Sequence, residues 1–171
     1  VPMVARDFME AGWATAAASN NKIVSVAEGF ADGFVAFDER AFKNDQTFGG
    51  ERITRAARSW LRAHPDGPFF LYLHYFDPHD RYQAPPPFTR RHVPREITQR
   101  VKDTAVRSGR PNAFIESMNP EARELTGAEI RYLRGLYQGE VEYVDHCLGR
   151  VLELLEEQGR LDDTIVVVTS D

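Results

Sequence analysis

His79 stands between Pro78 and Asp80 in the run Tyr75-Phe-Asp-Pro-His-Asp-Arg-Tyr82, where titratable side chains crowd behind an apolar segment, Phe69-Phe-Leu-Tyr-Leu-His74. An imidazole so placed can donate a hydrogen bond to an anionic oxygen, or pass a proton to a leaving group near neutral pH. It could equally be a surface histidine bonded to its own loop, and spacing alone leaves both readings open. Asp171 closes a second apolar run, Thr164-Ile-Val-Val-Val-Thr-Ser-Asp171. Hard divalent cations take oxygen ligands of this kind, but one carboxylate is not a site, and a solvated terminal residue is the alternative. His74 ends its apolar run and reads as packed, while Asp77 and Asp80 suit turn or helix caps. Cys147 follows His146, yet adjacent helical residues point about 100° apart, so a Cys–His dyad gives way to a half-buried structural thiol.

These groups need a frame. Val4 to Ala11 has helical spacing and a stop at Gly12, and Trp13 to Ala18 reads as a small-residue strand. Residues 29–38 read as a loop with a short extended piece. From Gly50 a helix is expected, with Ile53, Ala56, Ala57, Trp60 and Leu61 on one face and Arg52, Arg55, Arg58 and Arg62 mostly opposite in solvent. Prolines at 78, 85, 86, 87 and 94 make residues 75–95 a loop. Residues 96–107 suit a helix and 110–120 a loop.

Thr126-Gly-Ala-Glu129 is a capping-box pattern. It opens a helix of ~30 residues, ~45 Å long, whose expected apolar face is Ile130, Leu133, Tyr137, Val141, Val144, Leu148, Val151 and Leu155. Gly135 and Gly139 would permit a bend, and Gly159 closes it. Alternation of helices and strands predicts an α/β fold, a mostly parallel sheet with helices on both faces. Segments 69–74 and 164–170 are expected as neighbouring or near-neighbouring parallel strands, which would bring His79 and Asp171 to one rim of the sheet. Two such apolar strands want neighbours on both sides, so further strands are expected from sequence outside this chain.

The net charge of −5 and the scattered Lys and Arg residues carry no basic stripe, so no nucleic-acid partner is expected. One cysteine excludes an intrachain disulfide and CxxC metal motifs. No apolar run approaches the ~20 residues of a spanning helix. The compartment stays open.

Pro68-Phe-Phe-Leu-Tyr-Leu-His-Tyr-Phe-Asp-Pro-His-Asp-Arg-Tyr82, followed by Pro85-Pro-Pro87, resembles the central segment of sulfatases in the alkaline phosphatase superfamily. Tyr137-Gln-Gly-Glu-Val-Glu-Tyr-Val-Asp-His-Cys-Leu-Gly-Arg150 is similar to the family helix with a Y-x-x-x-V-x-x-x-D-x-x-x-G-R pattern. Residues 161–171 resemble the strand that runs on into D-H-G, and Gly12-Trp-Ala-Thr-Ala16 resembles the G-Y-x-T-A strand. The resemblance covers nearly the whole chain and implies that residues 1–171 are the central part of a sulfatase catalytic domain with an alkaline-phosphatase-like fold. It implies that His79 contacts the sulfate group and assists leaving-group departure. Asp171 would be the first carboxylate of the D-H-G or D-N-G motif, a ligand of a divalent cation, usually calcium.

The implied reaction is hydrolysis of a sulfate monoester, on a small molecule or a carbohydrate, by a formylglycine nucleophile made from cysteine or serine. A periplasmic or secreted location would suit such an enzyme. The nucleophile segment, C/S-x-P-S-R or C/S-x-A-x-R, has no counterpart here, because Cys147 lies in no such context. The N-terminal pair of metal-binding aspartates and a later family lysine are also missing, and Ala17-Ala-Ser-Asn-Asn-Lys22 replaces a G-K-W-H stretch. The 171 residues by themselves are therefore expected to be inactive. Two rivals stand: a phosphonate monoester or phosphodiester hydrolase of the same superfamily, and a non-catalytic module.

Overall fold

The computed structural model describes residues 4–39, 49–79, 82–94 and 126–170. Helix α1 (Val4–Glu10) stops where Gly12 takes a φ of 83°, and the Trp13 N–H donates back to the Phe8 carbonyl. Only a residue without Cβ adopts that backbone freely, so the glycine turns the chain at once into strand β1 (Ala14–Ser19). β1 is the centre of a parallel sheet ordered β2-β1-β3, with β2 at Ala36–Asp38 and β3 at Phe69–His74. Its alanines present little bulk, and Ala16, Ala17 and Ala18 are all buried.

Strand side chains alternate between faces, and β3 uses both. Phe70 stacks on Phe8 of α1, with ring centres 4.7 Å apart. Phe69, Leu71 and Leu73 pack on the other side against Ala57, Leu61, Val151, Leu154 and Leu155. Those residues belong to helix α2 (Gly49–Ala63) and to the long helix α4 (Gly127–Glu157), so helices cover both faces. Arg58 of α2 is not purely solvated as expected: it donates to the Arg150 carbonyl, while Arg150 pairs with Glu51.

Two expectations fail here. Residues 164–170 form no strand, and the third strand is β2 instead. Ile165, Val167 and Val168 are 92%, 80% and 72% exposed, so among the described residues this run has apolar side chains but no ladder. β-branched composition favours extended backbone, but only a partner edge makes it a strand. Helix α4 also buries only part of the expected stripe, keeping Val151 and Leu155 but shifting before them. Ile130, Tyr137 and Val141 are exposed, whereas Gly139, Glu140, Tyr143, Cys147, Val151, Leu154 and Leu155 are buried.

The ends of α4 match the sequence closely. The Thr126 N–H donates to the Glu129 carboxylate at 2.7 Å, and the Glu129 N–H donates to the Thr126 hydroxyl at 3.3 Å, a reciprocal cap. At the far end Gly159 takes a φ of 66° and the Arg160 N–H donates to the Leu155 carbonyl. Segments 96–107 and 110–120 lie outside the described residues. The chain divides into two compact units, Val1–Phe76 with His146–Asp171, and Asp77–Asp145.

Candidate functional site

Parallel strands end on a common edge, and β1 and β3 bring Ser19 and His74 into register there. The Asn20 N–H donates to the His74 carbonyl at 3.4 Å, and the Phe76 N–H donates to the Asn20 side-chain carbonyl at 2.6 Å. The His74 ring is held as well. Asn21 Nδ2 lies 3.3 Å from Nε2 and the Tyr72 hydroxyl lies 3.1 Å from Nδ1. His74 is thus fixed on this edge by two polar neighbours, more than the simple packing expected for it.

Cys147 is fully buried, which takes the expected half-buried thiol one step further. Its carbonyl accepts from the Thr54 hydroxyl at 3.3 Å, and that hydroxyl also lies 3.1 Å from the Tyr75 hydroxyl.

The second unit carries His79. The chain enters it at a cis Asp77–Pro78 bond, and His79 is exposed in the turn that follows. Asp80 lies outside the described residues. Downstream the loop is gathered onto α4. The Gln83 N–H donates to the Glu140 carboxylate, and the Thr89 hydroxyl donates to the Ala84 carbonyl. Helix α3 (Phe88–His92) then lies close against α4. A Cβ at Gly139 would sit 3.1 Å from Thr89 Cα, and one at Gly135 would sit 2.5 Å from the His92 carbonyl oxygen. These glycines therefore serve close approach, within a helix that runs unbroken over 31 residues.

Two carboxylates on this stretch of α4 differ sharply in environment. Glu142 pairs with Arg91 and lies 2.7 Å from His92 Nε2. The His92 hydrogen bond, followed by that of Arg91, holds its carboxyl below the ordinary value despite some burial. Glu140 is 3% exposed, and burial pushes it up to about 7. The charge of Asp77 adds to that rise, while backbone hydrogen bonds from Gln83 and Ala84 oppose it. Sequence reasoning passed over Glu140. Its signal was its phase, one turn before Tyr143 and two before Cys147 on the buried stripe.

Asp171 lies outside the described residues. Among the described residues no group of three or more His, Cys, Asp or Glu side chains could hold a metal ion. A complete cation site is thus not furnished by the described residues alone. Among them, too, no helix is long and apolar enough to cross a membrane.

Residues 10–171 match the Sulfatase family. The chain is 31% identical over 142 residues to the multifunctional alkaline phosphatase superfamily protein PehA of Trinickia caryophylli, covering 75% of this chain and 27% of that protein. It is 25% identical over 166 residues to an arylsulfatase of Klebsiella aerogenes, covering 86% of this chain and 35% of that one. The chain thus spans about a quarter to a third of the length of these relatives. The family generally works with a divalent cation. A match over nearly the whole chain, on a parallel sheet with helices on both faces, leaves one conclusion: the chain belongs to the sulfatase family.

Proposed function

We propose that residues 1–171 are the central part of the catalytic domain of a sulfuric ester hydrolase, one that cleaves sulfate monoesters of a small molecule or carbohydrate. Support comes from the family match over residues 10–171 together with an exposed His79 in the turn beyond β3. In this reading His79 contacts the sulfate group and hands a proton to the bridging oxygen as the alcohol departs. Asp171 is one oxygen ligand of the cation, and calcium fits oxygen ligands of that hardness. Most of the cation's ligands, and a formylglycine nucleophile made from cysteine or serine, come from outside these residues.

A second reading, hydrolysis of phosphonate monoesters or phosphodiesters, stands beside it because one relative is named as a multifunctional protein of the alkaline phosphatase superfamily. Sulfate and phosphate esters share tetrahedral geometry, so one site can serve both.

The test is the full-length protein assayed with p-nitrophenyl sulfate, bis-p-nitrophenyl phosphate and a phosphonate monoester. The sulfatase reading expects the sulfate ester to be turned over with the highest kcat/KM. His79→Ala should lower kcat by about 100-fold or more, as loss of a general acid does. The 171 residues alone should hydrolyse none of the three. A preference for the phosphorus esters would select the second reading, and a His79→Ala variant at full rate would remove His79 from the chemistry.

A further inference from the structure

Glu140 is a carboxylate in a place where helices normally put carbon. It is 3% exposed, on the same buried stripe as Tyr143 and Cys147. An ionisable group in such a position costs several kcal/mol unless it is paired or hydrogen-bonded. At Glu140 the hydrogen bonds come from backbone N–H groups of a neighbouring loop.

What it does is gather a loop. The Gln83 N–H donates to it, and Ala84 adds a second backbone hydrogen bond. At the other end of the same loop the charge of Asp77 is close enough to be felt at Glu140. Asp77, on one side of His79 in sequence, and Gln83 and Ala84, on the other, are therefore all felt at one carboxylate, Asp77 through its charge and the other two through hydrogen bonds. Two further contacts hold the return. Ala84 is 5% exposed, and its carbonyl accepts from Thr89, whose helix is pressed on Gly139 of α4. Gln83 and Ala84 belong to no helix or strand, so their backbone donors need an acceptor from elsewhere. Glu140 supplies one.

We infer that Glu140 is a positioning residue: its buried carboxylate fixes Gln83 and Ala84 on α4 and thereby the place of His79, four residues before Gln83 in sequence. This role rests on His79 serving the ester as proposed above. It needs no contact between Glu140 and substrate. Its effect belongs in kcat, because a histidine displaced by about 1 Å loses up to a hundredfold in rate while remote binding contacts persist.

The experiment uses the full-length protein with Glu140→Ala and Glu140→Gln, read by hydrogen exchange and by kcat and KM on p-nitrophenyl sulfate. The Gln83 and Ala84 amides should exchange about 5- to 10-fold faster in Glu140→Ala, the loss of roughly one hydrogen bond. Glu140→Gln keeps an acceptor oxygen and should retain most of the protection. In step with this, kcat should fall about 10- to 100-fold for the alanine variant with KM within twofold, and the glutamine variant should recover most of it. Should Glu140→Ala fail to fold, Gln83→Pro deletes the donating N–H and leaves α4 untouched, and it should reproduce the kcat loss.

Unchanged protection at Gln83 and Ala84 in Glu140→Ala would overturn the inference, as would lost protection with wild-type kcat. Failure of the sulfatase reading shows separately, as a wild-type protein inert toward the ester or a His79→Ala variant at full rate. The exchange measurement then decides by itself whether Glu140 holds the loop.

Discussion

The two halves of α4 bury their inner faces by opposite means. From His146 onward the helix buries Cys147, Val151, Leu154 and Leu155, and it is held by hydrophobic contact with Ala57 and Leu61 of α2. Before that point it buries Gly135, Gly139, Glu140 and Tyr143, and what it contacts is a loop and a short helix. The aliphatic half is replaceable by other carbon of similar volume. The polar half depends on an acceptor oxygen and on missing Cβ atoms, and neither tolerates exchange. A helix can thus look uniform along its axis while one half serves the core and the other serves a loop.

Three measurements would break or sharpen this contrast. The largest effect is expected in the aliphatic half: Leu155→Ala, at a side chain 3% exposed, should cost about 3 kcal/mol in urea unfolding. A cost below about 1 kcal/mol would mean that this half is not core at all.

The glycines come next. Gly135→Ala would place a Cβ 2.5 Å from the backbone oxygen of His92, and backbone cannot swing aside. The helix-propensity gain of up to about 1 kcal/mol is then outweighed, for a net loss of about 2 kcal/mol. Gly149→Ala, where nothing lies within 4 Å of the added atom, should instead stabilise by up to about 1 kcal/mol. Equal signs from the two, in thermal or urea unfolding, would erase the distinction between the halves.

The smallest effect is in pH. Glu140 is pushed up to about 7, so between pH 5 and 7 the folded chain holds a proton that the unfolded chain has released. Stability contributed by this group is therefore present at low pH and fades as pH climbs toward 7 and beyond. The change amounts to about 1–2 kcal/mol once solvent screening is allowed for. Urea midpoints at pH 5 and pH 8 should show this loss in the wild type and not in Glu140→Gln. Parallel pH profiles for the two proteins would remove Glu140 from the titration.

The same contrast explains what could be read before any coordinates. Thr126 and Glu129 announced a helix start because their chemistry is local, each satisfying the other's backbone within one turn. Gly12 and Gly159 announced helix ends for the same reason. Phe69–His74 was legible as a strand because its alternate residues meet covers on both faces. Ile165–Val168 has similar composition and forms none, since strand pairing is a property of two segments and only one was in view. On α4 the buried Val151 and Leu155 are legible from apolar spacing, whereas the stripe before them is not, because three of its positions are Gly135, Gly139 and Glu140. Of the two site residues named from sequence, His79 is found in an exposed turn, and Asp171 lies outside the described residues.

The unpaired run near residues 164–170 has a consequence for handling this chain. It is seven residues of Thr, Ile, Val and Ser with no charge, no proline and no glycine, held open to solvent. Such a stretch is a template for intermolecular cross-β stacking. Four adjacent aliphatic side chains here favour self-association, which the net charge of −5 opposes. A lysine at Val167, 80% exposed, is the gatekeeper substitution that would keep preparations clear without touching the packed sheet.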